Sequence, residues 1–216
     1  MDLDLLGTNS ALRWTLGGAL LAHGDAAKGI EARLTSSGDI DAHLSMAGPV
    51  ETDGMGAIGV DIDATLNNTF SSDVVINDHI LVLGAESVGL NIKAYGASLA
   101  EVAVDAGAAL VVSGDQGRGV QIQMDASAIA SDVSIDGITL LGSGSRGVSV
   151  RASDFKGPIY GDSQLFVSPV DANEWSLAST SFGSGADMLI TTQIQNDILI
   201  IADKATALEA LVSGGI

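Results

Sequence analysis

The chain has no cysteine among its 216 residues. A disulfide scaffold, a thiolate metal site and a cysteine nucleophile are therefore excluded. Aromatic residues make up only 4% of the sequence, which predicts a narrow core of aliphatic side chains. Prolines are also few, which favours uninterrupted strand ladders, and they are Pro49, Pro158 and Pro169.

Basic residues are scarce as well. Nine Lys and Arg face 27 Asp and Glu, for a net charge of −18. Nucleic acids and anionic membrane surfaces attract basic faces, so neither is expected as a partner. No apolar run approaches the roughly 20 residues of a membrane-spanning helix, so direct membrane insertion is not expected.

The first six residues contain neither a basic segment nor the apolar stretch of a secretory signal. The sequence therefore predicts either an intracellular protein or a piece of a longer secreted chain. A start in mid-pattern, with Leu3 and Leu5, and an end at Gly-Gly-Ile favour the second interpretation.

A glycine followed by an aliphatic residue returns at spacings of 30, 30, 30 and 28 residues. A fixed period of this length is typical of stacked structural units. After each glycine, apolar and polar residues alternate, as in a strand with one buried face. The repeated pairs are Gly29-Ile30, Gly59-Val60, Gly89-Leu90, Gly119-Val120 and Gly147-Val148.

Each unit contains two further short alternating segments, separated by Asn, Asp, Ser and Gly turns. Ile40/Ala42/Leu44 represents the second segment and Ile80/Val82 the third, and Leu165/Val167 is the last predicted third segment. Three short strands per 30 residues predict an all-β fold, a single-stranded parallel β-solenoid. An antiparallel sandwich or barrel is the alternative, but it gives no reason for a 30-residue period.

We expect a single domain over 1–216. Residues 1–28 form an irregular first rung, with Leu12/Trp14/Leu16 and then Ala19/Leu21 as its inward residues. Residues 29–168 form the regular repeats, and 169–216 form terminal rungs and a cap. The cap is a short helix over 203–212, with Asp203 at its N-cap and Gly214-Gly215 after its end.

The repeats Ser87-Val-Gly-Leu-Asn-Ile, Gly117-Arg-Gly-Val-Gln-Ile and Ser145-Arg-Gly-Val-Ser-Val resemble those of bacterial autotransporter passengers, the type V secreted surface proteins. The resemblance covers roughly residues 29–190. It implies a right-handed β-helix displayed outside the bacterial cell, often with adhesive or structural roles. It implies no enzymatic activity here, because the sequence contains no protease motif.

Calcium is the only cofactor for which the sequence offers candidate ligands. Asp61 and Asp63 flank Ile62 on the outward face of a predicted strand, and carboxylates suit Ca²⁺. The segment Gly183-Ser-Gly-Ala-Asp187 resembles half of a calcium-binding nonapeptide repeat. The interpretation that competes with a metal site is that these residues are ordinary turn and surface aspartates.

Catalytic constellations are weak. His23, His43 and His79 are scattered, and no Gly-x-Ser-x-Gly is present. Carboxylate pairs suited to glycoside cleavage arise by chance in so acidic a chain. We expect Arg118 and Arg146 to be neighbours on adjacent rungs, where they could clamp an anion, although neutralisation by the neighbouring Asp115 and Asp125 is favoured.

These observations predict a non-enzymatic, extracellular structural or adhesive β-solenoid from a bacterial surface protein. Its partners would be further copies, bound through solenoid ends or faces, or a surface glycan or protein. Two alternatives stay open: a polysaccharide-binding or polysaccharide-cleaving β-helix, and a Ca²⁺-dependent repeat module.

Overall fold

A computed structural model describes residues 1–154, 164–171, 174–183, 186–194, 198–200 and 205–214, with side chains for 1–126, 131–151, 205–207 and 209. The described residues form nineteen strands, and parallel strands stack into a solenoid of about five turns. The described residues contain no helix. The predicted all-β parallel solenoid with three strands per coil is confirmed, and the sandwich alternative is wrong.

The first three coils contain three separate strands each. They are β1 (Asp2–Gly7), β2 (Ser10–Leu16) and β3 (Leu20–His23); β4 (Lys28–Ser36), β5 (Ile40–Met46) and β6 (Val50–Asp53); and β7 (Ile58–Leu66), β8 (Thr69–Ile76) and β9 (Ile80–Val82).

In the next two coils the first and second strands run together as one long strand. These coils are β10 (Val88–Ala106) with β11 (Leu110–Val112), and β12 (Arg118–Ile135) with β13 (Ile138–Leu140). The remaining strands are β14 (Arg146–Asp154), β15 (Gln164–Asp171), β16 (Glu174–Gly183), β17 (Ala186–Ile194), β18 (Ile198–Ile200) and β19 (Thr206–Gly214).

Equivalent strands of successive coils form three parallel ladders. The first-strand ladder is β1-β4-β7-β10-β12-β14-β19, and the third-strand ladder is β3-β6-β9-β11-β13-β18. The second-strand ladder runs from β2 through β5, β8, β10 and β12 to β17. Aliphatic side chains from all three ladders fill the interior, and burying each Leu or Ile stabilises the fold by about 1.5–3 kcal/mol.

The predicted strand register is confirmed in coils two to five. Leu90 and Ile92 of β10, and Val120 and Ile122 of β12, are completely buried and stack as register partners. In the first coil, the inward face of the third strand is shifted by one residue from the prediction. Leu20 and Ala22 point inward, and Leu21 is exposed. Pairing of Leu20 with Val50 and of Ala22 with Thr52 sets this register, so the prediction of Ala19 and Leu21 as inward residues is wrong.

The repeated glycines are required by close packing. A Cβ atom on Gly89 would lie 2.4 Å from Ile80 Cγ2 and 2.8 Å from the carbonyl oxygen of Gly119. The equivalent Gly59 and Gly119 face the same obstacles, the third-strand side chain and the carbonyl of the next coil. The 30-residue period therefore marks the position in each coil where a side chain would collide with the third strand and with the next coil.

The turn after each third strand repeats a backbone shape. One position per turn has a left-handed φ between 54° and 68°, and it is filled by Ala26, Gly56, Glu86, Gln116 and Gly144. A side chain in this conformation costs about 1 kcal/mol, which the two glycines avoid. Two residues before each, a second column of glycines stacks so closely that a Cβ atom on Gly114 would lie 1.9 Å from Gly84 O.

The sixth coil is interrupted. Ser149 of β14 is the register partner of Glu209 of β19, 60 residues later, whereas register partners in earlier coils are 28 to 30 residues apart. Within this interval β15 and β16 form an antiparallel hairpin, and β16 pairs antiparallel with β17. Leu165 and Val167 therefore lie on an antiparallel strand. The prediction of a third strand there is wrong, since that place belongs to β18.

The helix predicted over 203–212 is also wrong for its described part. Thr206–Gly214 forms the parallel strand β19, with Leu208 opposite Val148 and Ala210 opposite Val150. Thr206 N donates to Ser145 O at 2.9 Å. The open edge of β14 supplies a full hydrogen-bond ladder, which outweighs the marginal stability of a ten-residue helix. Asp203, the predicted N-cap, lies outside the described residues.

Candidate functional site

The first strands of coils two to six bend near their start. Gly59 and Val60 both face the core, although they are consecutive. Two successive inward positions interrupt the alternation and bend the strand. The same pattern recurs at the repeated glycine of β4, β7, β10, β12 and β14, so the bends align along the solenoid. We call the strip of outer face on either side of these bends the outer crease.

Two columns of outward side chains line the outer crease. The column before the bend is Lys28, Ile58, Val88, Arg118 and Arg146; the column after it is Glu31, Asp61, Asn91, Gln121, Ser149 and Glu209. Despite facing outward, Asp61 is only 5% exposed, Asn91 3% and Ser149 2%. The two columns contact each other where Lys28 reaches Glu31 and Asp61 and where Arg146 reaches Glu209.

The N-terminal part of the outer crease holds a compensated charge network. Asp61 accepts hydrogen bonds from Lys28 Nζ and Asn91 Nδ2, both at 2.7 Å. Lys28 Nζ also donates to Glu31 Oε1 at 2.5 Å. Burial alone would lower the pKa of Lys28, but the hydrogen bonds to Asp61 and Glu31 outweigh it and raise that pKa. The hydrogen bond from Lys28 lowers the pKa of Glu31.

The C-terminal part of the outer crease is cationic. Arg118 and Arg146 are register partners on β12 and β14, which confirms them as neighbours on adjacent rungs. Arg146 Nε lies 3.2 Å from Glu209 Oε2, and the same oxygen accepts a hydrogen bond from Ser149 Oγ at 2.7 Å. Among the described side chains no salt bridge joins Asp115 to either arginine, and its Oδ1 accepts a hydrogen bond from Ser143 N at 2.8 Å. Neutralisation by Asp125 stays a prediction.

Arg118 forms no salt bridge with any residue whose side chain is described. Burial lowers the pKa of Arg118, the charges of Arg146 and Arg151 lower it further, and the charges of Glu209 and Glu86 act in the opposite direction. In the second column, Asn91 Oδ1 and Gln121 Oε1 are buried without a hydrogen-bond partner among the described residues. The Arg118 guanidinium therefore has acidic neighbours without a direct salt bridge, and the two amide oxygens are enclosed by the protein.

Of the three predicted calcium ligands, Asp61 and Asp63 are neighbours and Asp187 lies far along the chain. Asp61 and Asp63 share the outer face of β7, and both oxygens of Asp61 already accept hydrogen bonds. Asp187 lies on β17, and its side chain is outside the described residues. Among the described side chains, no three acidic or histidine residues converge as a metal site. Calcium binding stays a prediction.

The three histidines occupy separate places, each beside one aspartate. His23 Nδ1 lies 3.0 Å from Asp53 on the third-strand ladder, and His43 Nδ1 lies 3.0 Å from Asp73 on the second. His79 Nδ1 lies 2.6 Å from the adjacent Asp78 in a turn. These pairs are surface contacts, and the structure does not bring the histidines together.

The sequence patterns did not predict the outer crease. The signal is present, because two polar or charged residues bracket the repeated pair, as in Lys28-Gly-Ile-Glu31 and Arg118-Gly-Val-Gln121. Simple alternation assigns Glu31 and Gln121 to the solvent. Only the bend at the glycine reveals that they face the residue three positions earlier.

The described fold defines the class of protein as a parallel β-solenoid. No protein-family model, curated protein sequence or solved structure matches the chain. Within the described ranges there is no helix with the length and apolar character needed to cross a membrane.

Proposed function

We propose that this protein is a non-enzymatic structural and adhesive rod, part of a protein displayed outside a bacterial cell, which self-associates through solenoid ends or faces. What supports association is the stacking itself, because any coil without a neighbour exposes three parallel strand edges. In the 216-residue chain β1, β2 and β3 pair only with the second coil in the described structure, so they provide the edges on which association is tested. Open parallel edges of this kind bind further strands.

The first coil also leaves core side chains incompletely covered. Leu3, Leu5, Trp14 and Leu16 pack against the core but are only partly buried. Their counterparts one coil further in, among them Leu44 and Met46, are covered almost completely. Another coil stacked on this end would remove both the apolar surface and the unpaired backbone groups from water.

The partner that fits this end is another coil of the same cross-section, which a second copy of the chain supplies. A binding partner must match three strand edges at once, and a coil of the same cross-section offers that arrangement. The opposite end differs, because β16 and β15 continue the second-strand ladder with antiparallel pairing, and the outermost strand carries Pro169. Pairing of two N-terminal coils gives a closed two-fold dimer.

Thr15→Pro is expected to abolish this association. Ser10 N donates to Asp39 O and Ala47 N donates to Leu16 O, both at 2.9 Å, so alternation points the Thr15 N–H away from the second coil. Proline therefore removes a hydrogen-bond donor from the open edge at a cost to folding of about 1 kcal/mol or less. Sedimentation equilibrium should show dimers for the natural chain and monomers for the variant.

Thr15→Val is the matched control, because it changes the side chain and keeps the N–H group. It should dimerise like the natural chain. Dimerisation should also strengthen with added salt, which screens the repulsion between two chains of net charge −18. A natural chain that stays monomeric at high concentration, or a Thr15→Pro variant that dimerises as well as Thr15→Val, contradicts the proposal.

The surface location rests on the resemblance of the Gly-aliphatic repeats to passenger repeats and on the excess of acidic residues, which keeps an elongated β protein soluble. Antibodies raised against the chain should label intact cells of the bacterium that makes it. A cytoplasmic protein of the same cells serves as the negative control. Labelling only after permeabilisation would place the protein inside the cell and refute this part of the proposal.

The outer crease favours a second candidate function, the binding of a polysaccharide along the rod. Saccharides are recognised by hydrogen bonds to their hydroxyl groups, and the half-buried Glu31 and Gln121 place a carboxylate and an amide group on the crease. The column after the bend is polar in successive coils, whereas the column before it is apolar at Ile58 and Val88, so a chain of sugars would find its polar contacts on one side. This candidate is compatible with an adhesive rod.

A further inference from the structure

Basic residues are concentrated on one face of the solenoid. Six of the chain's nine Lys and Arg lie on the outer side of the first-strand ladder, together with a similar number of acidic residues. This face is therefore nearly neutral, although the whole chain carries a net charge of −18. The charge repulsion that keeps two copies apart is weakest where such faces meet. The six basic residues are Lys28, Arg33, Lys93, Arg118, Arg146 and Arg151.

The charges on this face are ordered along the solenoid. The outward positions two residues beyond the second column of the outer crease form what we call the mid-strand column. It is acidic at its N-terminal end and basic at its C-terminal end. Asp63, Lys93 and Arg151 of this column form no salt bridge with any described side chain. On six successive rungs, the column consists of Asp4, Arg33, Asp63, Lys93, Gln123 and Arg151.

The mid-strand column is complementary to its own reverse. When a second copy faces it with the solenoid direction reversed, each rung meets the rung counted from the other end. Asp4 then faces the partner's Arg151, and Asp63 faces the partner's Lys93. The remaining rungs place Arg33 opposite the partner's Gln123. The two-fold axis repeats each contact, so four oppositely charged pairs form and no like charges meet in this column.

Other alignments of the two copies are less favourable. A shift of one rung in either direction brings Asp63 or Lys93 opposite its own copy, and Arg33 opposite a basic residue. With the two solenoids parallel, each rung faces the same rung of the partner, which gives Asp4 and Asp63 no cation to contact. Juxtaposed like charges oppose association, so the charges favour one orientation and one register.

The first-strand face is large enough for a specific contact. Six rungs of about six strand residues each cover roughly 600 Å² per chain, at the lower limit of specific interfaces. Outside the mid-strand column, Lys28 faces the partner's Arg118, but its ammonium group is already bound by Glu31 and Asp61. The contact uses side chains alone, so we expect it to require a higher protein concentration than association through the first coil.

From this self-complementarity we propose that the outer face of the first-strand ladder binds the same face of a second copy, with the two solenoids side by side and antiparallel. Contacts of Asp4 with the partner's Arg151 and of Asp63 with the partner's Lys93 set the register. The inference rests on the proposed self-association and specifies the face and the orientation. It does not depend on association through the first coil.

Reversal of one charge at each end of the mid-strand column tests the proposal. The background is the Thr15→Pro chain, in which the first coil contributes no dimers. At physiological ionic strength and high protein concentration, sedimentation equilibrium of this chain should show dimers. Adding Asp4→Arg or Arg151→Glu should weaken dimerisation by at least about tenfold, because like charges then meet. An equimolar mixture of the two variants should dimerise like the Thr15→Pro chain, because each introduced charge then faces an opposite one.

The mixture separates pairing from net charge. Its two chains together carry the same total charge as two unchanged chains, and the Asp4→Arg chain alone is less acidic than the unchanged one. Glu101→Arg is the matched control, because it makes the same change of charge at an exposed position on the second-strand part of β10. It should not weaken dimerisation. Asp4 is 63% exposed and Arg151 is exposed, so circular dichroism should show that both variants fold.

Each other outcome overturns the inference in a recognisable way. A mixture that dimerises no better than either variant alone refutes the antiparallel register. Equal dimerisation of the Thr15→Pro chain and its two variants refutes the role of this face. A Thr15→Pro chain that stays monomeric refutes the face contact, and dimers of Thr15→Val then leave the proposed self-association intact through the first coil. Monomers of both refute self-association altogether.

Discussion

Val120→Asp is expected to unfold the protein. Val120 is completely buried between Leu90 and Val148, its partners on the neighbouring coils. A carboxylate there would lie in an aliphatic stack with no cation and no hydrogen-bond donor from a side chain, at a cost of at least about 4 kcal/mol. Since each coil is stabilised by the next, the loss spreads to both neighbours. Far-UV circular dichroism and urea unfolding of the purified variant measure the effect.

Gln121→Asp, one residue later, is the control. Gln121 faces the outer crease on the same strand as Arg118, where the equivalent residues Lys28 and Glu31 form a salt bridge. A new carboxylate at 121 therefore gains a nearby cation, and we expect a change in stability within about 1 kcal/mol. Similar urea midpoints for Val120→Asp and Gln121→Asp would show that the assigned inward and outward faces of β12 are wrong.

The coil could be predicted from the sequence because its steric requirements recur. At Gly59, Gly89 and Gly119 a side chain would collide with the third strand and with the next coil, so the requirement appears once per turn. The alternation after each glycine fixes which residues are inward. Together these two signals define strand, face and period, which is sufficient to specify a stacked parallel fold.

Local pattern was insufficient where the chain departs from the period. Leu165 and Val167 alternate and fall where a third strand is due, but alternation does not distinguish parallel from antiparallel pairing. Similarly, the Ala- and Leu-rich segment that contains Leu208 suits a helix, until the open edge of β14 supplies a partner. Leu20 and Leu21 are consecutive leucines, so alternation does not determine which of them points inward. Pairing with Val50 of the neighbouring coil turns Leu20 inward.

The outer crease could not be predicted from the sequence for a different reason. Polar residues at outward positions predict a solvated surface, and Asp61, Asn91 and Ser149 are outward by that rule. They are buried because the strand bends at the glycine, and a bend is a property of tertiary packing. The contacts that cover these side chains, such as that of Lys28 with Asp61, therefore become visible only when adjacent coils are stacked.

Gly114→Ala is the second substitution expected to have a large effect. Its Cβ atom would lie 1.9 Å from Gly84 O and 2.4 Å from Gly84 C. Both obstacles are backbone atoms of the neighbouring turn, so no side chain can rotate away. Either the two turns separate or the ladder around them shifts, and both responses break contacts between coils. We expect a loss of at least about 3 kcal/mol in the free energy of unfolding, measured by urea titration.

Gly18→Ala is the matched control for this substitution, since a Cβ atom at Gly18 meets nothing within 4 Å. It should leave stability within about 1 kcal/mol of the natural chain, because alanine also restricts the unfolded state. A large loss in both variants would mean that glycine matters through backbone freedom in general. A loss confined to Gly114→Ala assigns the requirement to the close contact between stacked turns, the same constraint that makes the period of this chain visible.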